Sequence, residues 1–291
     1  MYELRAVGHS FVFITEPVNE YALTKQSLLL RLRSLASEPQ AQAELAASLL
    51  DIKNGMEVML AVLKLLEQTP RLSARPALLT TYTHFDQIGE KRDPAANLRA
   101  AILRAARSVL LPADVPLLQR AVTTYVFPPP TRKEEGALVR SAALLALAEV
   151  DECLARFHAA RLLVDEHTDP MSGEPALAAV RVLSALNEPL ALYAYVMQPL
   201  ARLQAEVVSE CLCNLTTVPV SLVAGLSERF SSSPIAGVLV GLFDLLLRHR
   251  EGMQQPEILR AYLRTGHDIA ALRYLATVLV ASGQRDRKSV V

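Results

Sequence analysis

A chain of 291 residues that is 51% hydrophobic and 21% charged can bury a large core, which excludes a disordered polymer. Thirty basic side chains balance thirty acidic ones, so no net field draws the chain to nucleic acid or to an anionic membrane. Aromatics are 5% and Trp is absent; Ala and Leu dominate, and that composition suits an all-α core. Three cysteines cannot all pair, so a reducing cytoplasm is the expected compartment.

In chain order, the first segment, MYELRAVGHSFVFITEP, has only the short apolar run FVFI and no signal-peptide core. Within it SFVFIT, residues 10–15, is the one strand-like stretch, expected as an extended N-terminal cap or as a strand added to a partner's sheet edge. Helical periodicity then takes over. NGMEVMLAVLKLLEQ from Asn54 is followed by DPAANLRAAILRAARSVL from Asp93, EGALVRSAALLALAEVD from Glu135 and EPALAAVRVLSALNEP from Glu174. Arg99, Arg140 and Arg181 each follow Leu or Val and stand 41 residues apart. The register continues loosely, upstream at Val58 and downstream at Val223 and the Leu259–Arg260 pair. Second helical patterns fill the gaps: PADVPLLQRAVTTYVF, DECLARFHAARLLVD and EPLALYAYVMQPLA.

ALVRSAALLALAEVD, residues 137–151, has no polar side chain from Ala142 to Ala148 and therefore needs cover nearly all round. Full burial of Leu145 would make Leu145→Ala cost about 2–5 kcal/mol. Asp93-Pro94 and Ser233-Pro234 place a capping acceptor before a Pro at the first helical position. Thr131 with Glu134 reads as a capping box, and Gly266 followed by Asp268 as the end of one helix and the start of another. PIAGVLVGLFDLLLRHR, from Pro234, is interrupted by Asp244 and too short to span a bilayer, so it reads as a buried helix. FPPPTRKEE, residues 127–135, is the best internal boundary, yet the 41-residue spacing runs through it. The chain is therefore expected as one array over 1–291, with an N-terminal half 20–127, a Pro-rich loop 128–131, a C-terminal half 132–283 and a short polar tail 284–291.

The spacing falls within the ~40–47 residues of HEAT and armadillo units, and the residues resemble a HEAT-repeat protein over roughly 54–265. Asp93, Pro94, Leu98, Arg99, Ala100 and Ala101 match the family pattern best; the next two units keep Val139–Arg140 and Val180–Arg181 but lack the full Asp-Pro opening. The resemblance implies a right-handed α-solenoid of stacked helix pairs, in which each marked helix packs on its partner and on helices of both neighbouring units.

No constellation of catalytic residues stands out, and no cofactor or metal is expected. DEHTD, residues 165–169, offers oxygen ligands and one imidazole but has neither EF-hand spacing nor a turn Gly, so it reads as an inter-helix loop. Cys211 and Cys213 lie nearly opposite one another on a helix, which suits a core role better than chelation. Cys153 with His158 lacks a third group, and His84 in YTHFD would act only within a substrate pocket. Arg99, Arg140, Arg181 and Arg260 form a ladder that either binds an acidic partner or phosphates or, as the resemblance implies, bonds a carboxylate or a helix-end carbonyl of the neighbouring repeat. Arg104 and Arg107, found only in the first well-matched unit, are the candidates for a partner-binding surface.

The expected function is non-catalytic: a scaffold or adaptor that binds another protein through an extended helical surface. A nucleic-acid-binding or repair protein of the HEAT-like DNA glycosylase type is the alternative, though zero net charge and the missing Trp speak against nucleic acid as partner. An accessory enzyme resembling the HEAT-like phycobilin lyases is a further alternative with no residue of its own to support it.

Overall fold

The computed structural model describes residues 20–130 and 132–288, and there the chain is all-α. The first four helices are α1 (Glu20–Ser34), α2 (Pro39–Ser48), α3 (Gly55–Gln68) and α4 (Arg75–Arg92). The middle of the chain forms α5 (Asn97–Ala106), α6 (Val115–Ala121), α7 (Ala137–Val150), α8 (Glu152–Leu163), α9 (Ala176–Ala185) and α10 (Pro189–Val196). The remainder forms α11 (Ala205–Asn214), α12 (Val220–Phe230), α13 (Ala236–Arg248), α14 (Pro256–Thr265) and α15 (Ile269–Lys288). SFVFIT and Thr131 lie outside the described residues.

The odd-numbered helices from α3 to α15 pack each on the next, an unbroken series through the molecule. The even-numbered helices attach to it: α4 on α5, α6 on α7, α8 on α7 and α9, α10 on α9 and α11, α12 on α13 and α14 on α15. Every substantial helix pairing joins neighbours or next neighbours in the chain. Arg99, Arg140 and Arg181 sit on α5, α7 and α9, consecutive members of the series. Val223 and Arg260 fall instead on α12 and α14, which flank it. The reason is a change of step: α5, α7 and α9 start at Asn97, Ala137 and Ala176, but α11 follows already at Ala205, chiefly because α9 and α10, of 10 and 8 residues, are shorter than α7 and α8, of 14 and 12, and α13 follows at Ala236 after similarly short elements. A constant spacing of 41 therefore leaves the series after α9.

Helix α7 shows why its sequence lacks a polar face. Val139, Ala142, Ala143, Leu144, Ala146 and Leu147 are buried, enclosed by α5, α6, α8 and α9. The cover is not complete: Leu145 is only partly buried and Leu138 is exposed. The large truncation penalty thus belongs to Leu144, not to Leu145. Capping follows the sequence in part. Asp268 accepts from the Ala271 amide at the start of α15, whereas α5 starts four residues after Asp93 and receives its carboxylate across the Pro94 turn. Asp244 on α13 is buried, but Tyr274 of α15 donates to it at 2.6 Å and the Cys213 thiol of α11 at 3.5 Å, so its burial is compensated within the series. Among the described residues no helix is long and apolar enough to cross a membrane.

A close backbone approach joins α11 and α13 at Gly241. A Cβ on Gly241 would stand 2.5 Å from the Ser209 carbonyl oxygen and 2.8 Å from its Cα, both backbone atoms that cannot swing away. Gly241→Ala should therefore destabilise the protein by about 1–3 kcal/mol through overpacking, against the gain of up to ~1 kcal/mol that helix propensity alone assigns. Leu144→Ala should cost about 2–5 kcal/mol and Leu145→Ala clearly less. Urea unfolding of the three variants checks both the sign for Gly241 and the order of the two leucines.

Candidate partner-binding edge

Each marked Arg meets an acidic residue that precedes its own helix. On α5, the Asp93 carboxylate accepts from the Leu98 and Arg99 amides at 3.0 Å and from Arg99 Nε at 3.3 Å. On α7, Glu134 accepts from both terminal nitrogens of Arg140, at 2.8 and 2.9 Å, and from the Val126 and Gly136 amides at 3.0 and 2.6 Å. On α9, Glu174 accepts from the Ala178 amide at 3.0 Å, from Arg181 at 3.1 Å and, across to α7, from the Ser141 hydroxyl at 2.8 Å. The carboxylate caps the helix and the guanidinium neutralises the carboxylate, so the loop before each helix is tied to its second turn. An acid six or seven residues before each Arg is the sequence signal, and Arg260 lacks it. That side chain is exposed on α14, and among the described residues no ion pair engages it.

Arg140 does more than its counterparts, because its side chain is 0% exposed. It also donates to the Thr124 carbonyl at 3.0 Å, its Nε lies 3.2 Å from Asp165, and its guanidinium covers the Tyr125 ring at 4.1 Å. One cation thereby joins the α6–α7 loop, α7 and the α8–α9 loop. Tyr125 closes the arrangement: its hydroxyl donates to Asp165 at 3.0 Å and accepts from Arg161 at 2.9 Å. Burial, followed by the Asp165 charge, pushes the Tyr125 pKa up, so the phenol stays a donor.

These two loops carry the exposed apolar groups of the edge. The His167 ring stands 5.6 Å from Tyr125 and 5.4 Å from Phe127, each edge-on. Phe127 is 49% exposed and Met171, farther along the second loop, 92%. Gln204 donates to the Thr168 carbonyl at 3.3 Å, which ties on the α10–α11 loop with exposed Met197 and Leu200. Neither Phe127 nor Met171 belongs to the ladder read from the sequence.

The remaining candidates lie away from this edge or are engaged within the chain. Arg104 lies 3.9 Å from Glu67 and bridges α5 to α3; Arg107 lies 2.5 Å from Glu149 and bridges to α7. Asp165 of DEHTD is committed to Arg140 and Tyr125, while Asp169 accepts from the Ser172 hydroxyl, which holds its carboxyl below the usual range. Among the described residues no three His, Cys, Asp or Glu side chains are grouped to hold a metal. Cys211 is buried, and burial pushes its thiol pKa up; burial and Asp244 push Cys213 up to about 12. Neither is a thiolate near neutrality. Cys153 is exposed on α8, and burial, then Arg161, lower the pKa of nearby His158. His84 lies on α4 beside a shallow, open hollow lined by Leu79, Thr80, Thr83 and Gln87, with Phe85 edge-on at 5.6 Å.

Comparison of the chain with protein-family profiles, curated proteins and solved structures returns no match.

Removing Arg140 leaves two buried carboxylates facing each other without a counter-charge. Arg140→Ala should cost about 3–5 kcal/mol, and Arg140→Lys should recover only part of this because an ammonium cannot serve both carboxylates in the fork geometry. Arg104→Ala, at an exposed pair, should change stability by no more than about 1 kcal/mol. Chemical denaturation of the three variants tests the contrast.

Proposed function

We propose that this chain is a HEAT-like α-solenoid that acts without catalysis as a protein-interaction scaffold in the cytoplasm, with the loop edge around Phe127 as its contact surface. The reading rests chiefly on one observation: exposed aromatic and Met side chains are mounted on loops that a fully buried Arg140 holds in place. Loops whose backbone is fixed before binding lose less entropy when a partner covers them, and aromatic side chains dominate many protein interfaces. The consecutive packing of α3 to α15 supports the solenoid part of the reading, because stacked units contact only their neighbours and present long continuous surfaces. The reading moves the contact away from Arg104 and Arg107, whose guanidinium groups face Glu67 and Glu149 of this chain.

The test compares wild-type protein with the double variant Phe127→Ala, Met171→Ser in capture from source-organism lysate, with nuclease present. Both residues are exposed, so circular dichroism and melting should not change. The proposal expects a near-stoichiometric, nuclease-resistant protein whose recovery falls about tenfold or more with the double variant. Recovery that is equal for both proteins, or that nuclease abolishes, overturns it.

A further inference from the structure

At the opposite end of α9 from the aromatic edge lies a small cleft between the α9–α10 and α11–α12 turns. Its volume is about 120 Å³, and its polar lining comprises Ser184, Asn187, Glu188, Asn214, Thr216 and Thr217. That is room for roughly four waters at ~30 Å³ each, or for a guanidinium group with one water. Glu188 is the one charged group in the lining, and the rest contribute neutral oxygens or amides. Two helices, α9 and α11, end here, at Ala185 and Asn214, and one, α10, begins here at Pro189, so the two negative dipole ends are partly offset by one positive end and the sign of the site is set by Glu188.

Two of the donors around the cleft, those of Ser184 and Asn214, are already committed. Ser184 donates its hydroxyl to Asn214 Oδ1 at 2.7 Å, and Asn214 Nδ2 donates to the Glu210 carbonyl at 2.8 Å. The Asn214 amide is thereby fixed with its oxygen at the cleft, where a second lone pair remains. Glu188 Oε1 lies 2.7 Å from Arg156 Nε on α8, at an exposed pair, which leaves Oε2 for another cation. The cleft thus offers one carboxylate, paired from outside by Arg156, the Asn214 carbonyl oxygen, and the hydroxyl and amide oxygens of Thr216, Thr217 and Asn187 as acceptors, with no positive charge among its lining residues. A divalent metal would need more anionic oxygen than one carboxylate supplies. A planar guanidinium, with five donors and one charge, matches both the acceptors and the charge.

We propose that this cleft is a binding site for an arginine side chain presented by a partner protein. It goes beyond the scaffold reading and does not depend on it, since it uses other residues and can be tested with a small molecule. The probe is N-acetyl-arginine-methylamide, with the isosteric but uncharged N-acetyl-citrulline-methylamide as control, titrated into full-length protein and followed by the side-chain amide resonances of Asn187 and Asn214.

The expected result is saturable perturbation of both amides by the arginine probe, about tenfold tighter than by the citrulline probe. Glu188→Gln should abolish that preference while the fold is retained, and Arg156→Ala should strengthen arginine binding by freeing the carboxylate. Equal binding of the two probes overturns the proposal. So does a preference that survives Glu188→Gln, or perturbation confined to residues outside the cleft. Tighter binding of spermidine than of the arginine probe overturns the assignment to a guanidinium.

Discussion

The arrangement that the middle of this molecule depends on is a single buried cation. Arg140 has no exposed surface, and around it stand two carboxylates, a backbone carbonyl and an aromatic face. Burying such charges without partners costs several kcal/mol per ion, so the cluster is stable only while every member is present. That requirement makes it a device for position. Two irregular loops are tied to each other and to α7, because each contributes a group that Arg140 needs.

The same acid–Arg pairing recurs in weaker form on α5 and α9, where Asp93 and Glu174 stand in for Glu134. The exposure of the Arg decides how much each pair contributes. Arg99 is buried with Asp93 and closes only its own loop, whereas Arg181 is largely exposed and its pair is worth less. Glu174 compensates through Ser141, which links α9 back to α7. Electrostatics thus complement the apolar packing that joins α5, α7 and α9.

Much of this was legible in the sequence, and what was not has physical reasons. The Arg positions and the apolar face of α7 stand out because helical spacing repeats them. Their acidic partners were missed because each acid lies in the connection before the helix, outside the helical pattern, at an offset that varies between six and seven residues. The register failed beyond α9 because helix and loop lengths together set the step between helices, and α9 and α10 are shorter than α7 and α8 without any change in helical period. Leu145 and Leu144 are indistinguishable to a pattern that contains only Ala and Leu; the positions of α5 and α9 separate them. The aromatic edge was illegible because Tyr125 and His167 meet only after α7 and α8 have packed.

In the proposed function, contact is made at the ends of the helices, where side chains of different loops converge, while the helix faces pack on one another. The central claim is that Arg140 holds both loops of the aromatic edge at once. Hydrogen exchange of wild-type protein against Arg140→Met measures this most directly. The account predicts joint loss of protection in residues 122–136 and 164–175, with α11 and α13 unchanged. Loss confined to the first loop, or no change in either, would contradict it.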